Sequence, residues 1–254
     1  MKPENILQTG SLAGKILLES GAEANRVEGT IVHICEAFGM QDVNAFATPT
    51  GLFISCDEDD RSYAKVLRIY ATGLNIGKIN QVNDISRKCV RGEIDLANAY
   101  LQLRDIRSHE VYSNGMKVCA AGFAAMCFTY FFGGTPIDGV AALAIGCIIK
   151  MIHLFFDKKR MNDMVKISIL SAFLTIMALG LKYVYLLDHK DTVIIGTLML
   201  LVPGVAITNA IRDSIAGDLL SGIIRAIEAC LIAVALALGA GVTMALWFFY
   251  IGGF

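Results

Sequence analysis

The chain has 254 residues, a formal net charge of −1, 55% hydrophobic residues and a mean hydropathy of +0.58. These values exclude an entirely water-exposed protein and give no indication of a nucleic-acid partner. The average conceals a boundary near Gly115. Residues 1–115 carry 12 Lys+Arg and 15 Asp+Glu, whereas residues 116–254 carry only 18 charges. We therefore predict a soluble domain at 1–115 and a transmembrane domain at 116–254.

The first domain is predicted to be a small cytoplasmic α+β domain. Apolar spacing predicts two helices, then three strands, then two helices that lead to the membrane: Ile6–Ser20, Ala22–Phe38, Asp42–Ala47, Leu52–Cys56, Tyr63–Ala71, Asn75–Val90 and Glu93–Ile106. Thr48-Pro49-Thr50-Gly51 predicts the turn between the first two strands, and Asp57–Arg61 predicts the next turn. Because residues 1–21 are polar and contain no h-region, we expect no signal peptide.

Two parts of this domain are candidate functional surfaces. Glu19, Glu23 and Arg26 follow one another at helical spacing, but a solvated helix face with ion pairs worth about 0.2–0.5 kcal/mol each is the simpler explanation. The Thr48–Gly51 turn is most simply a hairpin turn. No nucleophile with a base, phosphate-binding loop or zinc spacing occurs, and the seven cysteines form no CxxC pair. We therefore expect no metal and no cofactor.

The second domain is predicted to be an α-helical polytopic membrane domain of about five transmembrane helices, one of them broken. The five apolar segments are Met116–Phe132, Gly139–Phe156, Val165–Tyr185, Thr192–Asn209 and Ile227–Ile251. Lys150 and His153 weaken the second segment, and Lys182 lies near the end of the third. Trp247–Tyr250 form an aromatic belt at the last exit.

The loops between these segments predict the orientation. Asp157-Lys158-Lys159-Arg160 is the most basic loop, so it should lie in the cytoplasm. With five spans, this places the amino-terminal domain in the cytoplasm and the carboxyl terminus, Phe254, on the outside.

The fourth segment carries the most informative pattern, because Pro203-Gly204 interrupts its apolar run and charged residues follow. If the chain after Val205 is one helix, Ser214, Asp218, Ser221, Arg225 and Glu228 form a single polar stripe. Asn209 and Asp213 form a second pair one turn apart. Broken helices with ionisable groups are typical of the substrate sites of secondary transporters.

Such a stripe suits a zwitterionic or anionic substrate. A carboxylate would meet Arg225 or the helix start after Pro203-Gly204, and an ammonium would meet Asp213 or Asp218. The same carboxylates could carry protons if burial raises their pKa values. An amphipathic helix at the cytoplasmic interface with solvated charges is the alternative, but it does not explain Pro203-Gly204 within an apolar run.

At these residues the chain resembles the threonine/serine exporter family, in its YjjP-like branch. The resemblance rests on Leu201–Val205, Asn209–Asp213, Gly217-Asp218, Ser221-Gly222 and Arg225, and extends through Ser20–Thr30 and Thr48–Gly51. It implies pathway roles for Pro203, Gly204, Asn209, Asp213, Asp218 and Arg225, and more weakly a role for Glu23 and Arg26. Ser221 and Glu228 are further pathway candidates because they lie on the polar stripe. In the cytoplasmic domain, the candidate gating residues are Glu23, Arg26, Glu28, Pro49 and Thr50.

The resemblance implies export of small hydrophilic metabolites, threonine and serine or alternatively succinate, by proton-gradient antiport. Single-chain members continue into a second membrane domain, whereas this chain stops at Phe254. We therefore expect a second small membrane subunit, YjjB-like, or another copy of this chain, because lipid cannot satisfy the polar stripe. An intramembrane enzyme is disfavoured, since the GxGD pattern is absent. A membrane sensor that uses the soluble domain as a ligand reader remains an alternative.

Overall fold

The computed structural model describes residues 2–58, 61–70, 73–109, 112–159 and 161–252, which form two compact units. The first unit comprises Met1–Val111 and Val205–Ile227, and the second comprises Tyr112–Gly204 and Glu228–Phe254. The amino-terminal elements are α1 (Pro3–Glu19), α2 (Ala24–Ala37), β1 (Gln41–Thr48), β2 (Gly51–Glu58), β3 (Arg61–Arg68), α3 (Ile76–Val90) and α4 (Leu96–Ser108). The helices that follow are α5 (Asn114–Phe131), α6 (Pro136–Lys158), α7 (Asp163–Tyr183), α8 (Lys190–Leu198), α9 (Gly204–Ala216) and α10 (Leu219–Ile251).

The three strands form an antiparallel sheet in the order β1-β2-β3, so the α+β character predicted for this part of the chain is confirmed. Thr48 pairs with Gly51, and the Thr48 hydroxyl donates to the Gly51 carbonyl at 3.2 Å, which closes the predicted turn. Along β2, buried Leu52 and Ile54 alternate with exposed Phe53. One face of the sheet therefore contributes to the core and the other is exposed.

Helices α1 and α2 cross closely because α1 has glycines at the contact. A Cβ atom on Gly10 would lie 2.7 Å from the Cys35 sulfur, and one on Gly14 would lie 2.5 Å from an Ile31 methyl. Gly21, at φ +80°, lets the chain turn sharply between the two helices. This turn becomes important because polar residues from far along the chain bond to it.

In the second unit, α5 and α6 pack in antiparallel fashion through small residues. A Cβ atom on Gly146 would lie 2.8 Å from the Ala125 Cβ, and one on Gly122 would lie 2.9 Å from the Leu143 carbonyl. Small residues allow helix backbones to approach in this way, as they commonly do between membrane helices. The amino-terminal end of α5 therefore lies beside the carboxyl-terminal part of α6.

Three helices of the described residues, α6, α7 and α10, are long and apolar enough to cross a membrane. The predicted count of five spans is therefore not confirmed. The nine residues of α8 extend roughly 14 Å, about half of a bilayer core. The predicted fourth segment is divided between α8 and α9 by turns over residues 199–203. The predicted break at Pro203-Gly204 is thus present, at the end of these turns.

A second break corrects the prediction of one continuous helix after Val205. Gly217 has φ +97° and ends α9: its N–H donates to the Ser214 carbonyl, and the Asp218 N–H donates to the Asp213 carbonyl at 2.9 Å. This pattern is a Schellman motif, which a glycine forms without strain. Ser214 is therefore on a different helix from Ser221, and the predicted stripe is divided.

Some predictions concern residues outside the described ranges. These are Arg160 of the basic loop, Ala71 at the end of the predicted third strand, residues 59–60 of the polar turn, and the carboxyl-terminal Phe254.

Candidate functional site

A helical hairpin of the first unit bonds to the backbone of the amino-terminal elements through four polar side chains. The hairpin consists of α9 and the first nine residues of α10, Leu219–Ile227. Its two arms pack tightly at Gly222, where a Cβ atom would lie 2.9 Å from the Ala210 carbonyl. We call the four side chains the polar latch: Asn209, Asp213, Ser221 and Arg225.

Three members of the polar latch bond to the turn between α1 and α2. The Asn209 amide donates to the Gly21 carbonyl at 2.9 Å, and an Arg225 Nη donates to the Ala22 carbonyl at 2.6 Å. The Asp213 carboxylate accepts from the Ala24 N–H at 3.1 Å. Together they satisfy backbone groups that the turn leaves without a partner in secondary structure.

Two details explain why this position suits a carboxylate. Ala24 is the first residue of α2, and Glu23 at the N-cap makes no side-chain capping bond. The free N–H groups and the positive end of the helix dipole therefore attract an anion. Asp213 supplies it from 189 residues away.

The fourth member, Ser221, bonds to the sheet. Its hydroxyl donates to the Ala47 carbonyl at 2.9 Å, and the Ala47 N–H donates to the Glu28 carboxylate at 2.8 Å. The backbone of Ala47 thus links α10 to α2, so that the hairpin, the sheet and the second helix share one buried polar network.

The polar latch contains a buried ion pair. Arg225 Nε lies 3.0 Å from Asp213 Oδ2, and the two side chains are 8% and 1% exposed. The distance is that of a hydrogen bond but the alignment is not, so these two atoms form an ion pair without one. Removing one partner of such a pair leaves an isolated buried charge, which is strongly destabilising.

Burial and neighbouring charges act on the carboxylates around the polar latch. Burial raises the pKa of Asp213, and the adjacent Arg225 opposes the shift. Burial likewise raises the pKa of Glu28, with repulsion from Asp218 and Asp213 adding to it. Burial also acts to raise the pKa of Glu23, but its own backbone N–H, Arg26 and Arg212 outweigh it and hold that pKa below its usual value.

The candidate gating residues lie at the edge of this network. Glu23 accepts from Arg26 Nε at 2.8 Å and also pairs with Arg212 of α9. Pro49 is buried in the β1–β2 turn, whereas Thr50 is exposed. The structure therefore brings Glu23, Arg26 and Glu28 close to the polar latch.

The remaining predicted pathway residues lie elsewhere. Pro203 and Gly204 are at the break between α8 and α9, and Glu228 belongs to the second unit. Asp218 is half-buried immediately before α10, and the Ser214 hydroxyl bonds to the Ala210 carbonyl of its own helix. Asp213 and Arg225 form an ion pair with each other and hydrogen bonds to the backbone. Direct binding of substrate by these two side chains stays a prediction.

The second unit contains a fully buried carboxylate, Asp138, that was not predicted from the sequence. It accepts from the backbone N–H groups of Thr135, Asp188 and His189 at 3.0, 2.9 and 3.1 Å. The sequence does contain a signal for this carboxylate, because Thr135 and Asp138 have the spacing of a capping box, which they form at the start of α6. Lys150 and His153, which weaken the second predicted span, line a cavity of the second unit that the sequence does not predict.

The three long apolar helices among the described residues indicate a polytopic membrane protein. Comparison with known families agrees. The chain belongs to the family described as "Putative threonine/serine exporter", which matches residues 9–247. The predicted family resemblance is confirmed.

Curated relatives give the branch within this family. The chain is 22% identical over 236 residues to the "Probable succinate transporter subunit YjjP" of Klebsiella aerogenes, covering 91% of this chain and 90% of the relative. It is 20% identical over 238 residues to the protein of the same name from Escherichia coli K12, covering 92% and 91%. No solved structure matches the chain. The family and these relatives are named as transporters, not enzymes.

Proposed function

We propose that this chain is one subunit of a bacterial inner-membrane exporter of small hydrophilic carboxylates, driven by the proton gradient. Family membership supports export, and its description favours threonine- or serine-like amino acids. The relatives' names favour succinate. Both substrate classes carry a carboxylate, which is the chemical feature we assign to the exported metabolite.

The observation that carries the proposal is the interrupted segment. An apolar helix stops after nine residues, and the chain continues into a hairpin that buries Asp213 against Arg225. Helices interrupted in this way are where secondary transporters bind and couple their substrates.

For the coupling step we assign the proton to Asp213. Its pKa is raised by burial, and protonation would remove the charge that holds Arg225. The polar latch would then loosen. Because the chain leaves the hairpin for the second unit at Gly204 and at Ile227, a movement of the hairpin acts directly on both connections.

For the orientation we assign the first unit to the cytoplasm and the carboxyl terminus to the outside. Lys158 and Lys159, at the end of α6, support this assignment because basic loops remain in the cytoplasm. The residues of α10 beyond Ile227 are 24 in number through Ile251, roughly 36 Å of helix, which is enough for the last crossing.

For the assembly we assign a second membrane subunit, YjjB-like, or a second copy of this chain. The need to cover the polar stripe no longer supports a partner subunit. The first unit itself covers Asp213, Ser221 and Arg225, so these residues no longer require another subunit to shield them from lipid. What supports a partner is that both relatives are named as transporter subunits.

The test is transport in proteoliposomes that contain the chain with its candidate partner. Labelled succinate, threonine and serine are loaded inside, and efflux is followed with and without a pH gradient. We expect efflux of one carboxylate class that the gradient accelerates. Asp213→Asn should reduce the gradient-driven rate at least about tenfold, the effect of losing one buried charge interaction.

The matched control is Asp191→Asn, which removes an exposed carboxylate from the first turn of α8. It should leave the rate nearly unchanged. Absence of efflux for all three compounds, with ligand binding retained, would favour a sensor over an exporter. Equal gradient-driven rates for wild type and Asp213→Asn would contradict the proton assignment.

A further inference from the structure

The helical hairpin of the first unit has two opposite sides. In α9, Ile215 follows Asp213 by two positions, which is about 200° around a helix. In α10, Ile223 follows Ser221 by the same spacing. Asp213 and Ser221 are buried in the polar latch, whereas Ile215 and Ile223 are exposed. Each arm therefore carries the polar latch on one side and aliphatic side chains on the other.

The exposed side of the hairpin is almost entirely aliphatic. We call its large exposed side chains the aliphatic surface, whose members include Ile207, Ile211, Ile215, Leu219, Leu220 and Ile223.

This surface is more apolar than contact with water allows. Ile215 is 82% exposed and Leu219 is 60% exposed. Among residues 205–227, all of which the structure describes, eight large aliphatic side chains are exposed, and Arg212 is the one exposed residue with a charge. Arg212 is paired with Glu23. A contiguous exposed patch of this kind marks a surface that contacts another molecule or lipid.

The composition of the hairpin favours lipid over a protein partner. Residues 205–227 contain no aromatic residue, no Met and no Lys. Protein interfaces are enriched in aromatic residues, Met and Arg, and Leu and Val are under-represented among their dominant contacts. Leu, Ile and Val are instead among the side chains that enter a bilayer most favourably. The second arm is also the first part of α10, which is long and apolar enough to cross a membrane.

The turn between the two arms can enter hydrocarbon because its backbone amides are paired. A chain in lipid must satisfy its own backbone hydrogen bonds. The N–H groups of Gly217, Asp218 and Leu219 all donate to carbonyls of α9 or of the turn itself. The Asp218 side chain is half-buried and close enough to Glu28 to help raise the pKa of Glu28, so it lies on the side of the polar latch.

A groove of about 330 Å³ lies between the two arms and suits a hydrocarbon chain. Its lining consists of Ala210, Ile211, Ser214, Ile215 and Ala226. The Ser214 hydroxyl already donates to the Ala210 carbonyl at 2.8 Å. The groove is therefore apolar in character, and an acyl chain would fill it without leaving that hydroxyl unpaired.

We propose that the aliphatic surface is inserted into the hydrocarbon of a lipid bilayer. The hairpin is then held by hydrogen bonds to the amino-terminal elements on one side and by acyl chains on the other. The inference goes beyond the proposed function, because it assigns a lipid-binding surface to the first unit and does not depend on the transported substrate.

The experiment places a single tryptophan on the aliphatic surface of the full chain. Trp247 is the one tryptophan of the sequence, so Trp247→Phe is the background. Ile215→Trp on one arm and Leu219→Trp on the other are reconstituted into phosphatidylcholine vesicles, with and without the candidate partner. Both positions are exposed, so the larger ring requires no repacking.

Phospholipids with brominated acyl chains quench tryptophans that contact hydrocarbon, and aqueous iodide quenches those that contact water. We expect both variants to lose most of their fluorescence to the brominated lipid and little to iodide. The matched control is Val66→Trp, at an exposed aliphatic residue of β3 in the same unit. Iodide should quench this control, and the brominated lipid should not.

The two quenchers separate the possible neighbours of the surface. Lipid quenching that persists when the partner is present supports the proposal. Iodide quenching as strong as that of the Val66→Trp control would place the surface in water and overturn it. Protection from both quenchers, or lipid quenching that disappears when the partner is added, would assign the surface to a protein neighbour and also overturn it. Because transport is not measured, these outcomes are independent of the proposed function.

Discussion

The hairpin of the first unit and the cavity of the second unit both place charged side chains in apolar surroundings. The two regions arrange these charges differently. In the hairpin, Asp213 and Arg225 pair with each other and with backbone groups. In the cavity, Lys117 and Lys150 line a space large enough for a metabolite. The hairpin therefore uses its charges to hold elements of one unit together, whereas the cavity places bases from two different helices around an open space.

The structure also assigns different roles to the residues that are most prominent in the sequence. The charge-rich region after Pro203-Gly204 is the obvious candidate for binding substrate. In the structure its most buried residues connect elements of one unit, and their effect on transport would pass through the position of the hairpin. Lys150, the lysine that weakens the second predicted span, lines the cavity.

The largest expected effect comes from breaking the buried pair of the polar latch. Arg225→Met leaves Asp213 charged, buried and without its cation, which should lower the stability of the hairpin by about 3–5 kcal/mol. Hydrogen–deuterium exchange over residues 205–227 measures this as faster exchange. The double variant with Asp213→Asn should lose less, because no charge is then left unpaired.

The control for this prediction is Arg212→Met, which removes a 58% exposed arginine from the Glu23 pair on the same hairpin. Exposed pairs contribute at most about 1 kcal/mol, so exchange should change little. If the two arginine variants have equal effects, the contrast between buried and exposed charges in the hairpin is wrong.

A smaller effect is expected at the satisfied carboxylate of the second unit. Asp138→Ala leaves the N–H groups of Thr135, Asp188 and His189 without their acceptor, at a cost of about 2–4 kcal/mol. Thermal unfolding of the purified protein should show a lower midpoint, while export is retained in the folded fraction. An unchanged midpoint would contradict the structural role of Asp138.

The smallest effect concerns pH and the network that links the sheet to the hairpin. Because burial raises the pKa of Glu28, its contribution to stability is complete below its unfolded pKa, about 4.3, and is lost as pH rises through the higher folded value. Wild type should therefore lose more stability than Glu28→Gln between pH 4 and pH 7. The glutamine can still accept from the Ala47 N–H.

Glu36→Gln is the matched control, because Glu36 is an exposed residue of the same helix. Its melting midpoint should follow wild type across the pH range. If the melting midpoints of wild type and Glu28→Gln depend on pH in the same way, burial does not raise the pKa of Glu28 as assigned.

Local patterns in the sequence predicted much of this fold. The charge boundary near Gly115 and the alternation along β2 depend on neighbouring residues, as do the helix break at Pro203-Gly204 and the family motifs. Each of these features can therefore be predicted from a short stretch of sequence. The five-span count was not confirmed because α8 has only nine residues and α5 is not among the helices long and apolar enough to cross a membrane.

The partners of the charged residues were decided only by tertiary structure. Asp213 meets Ala24 across 189 residues, and Lys117 shares a cavity with Lys150 of another helix; no local spacing encodes either pairing. The predicted stripe assumed one helix, but the turn at Gly217 folds Arg225 back onto Asp213. The sequence by itself determined which segments are apolar, charged or interrupted, because these are properties of neighbours. Folding decided which charges find partners, because that depends on which surfaces pack together.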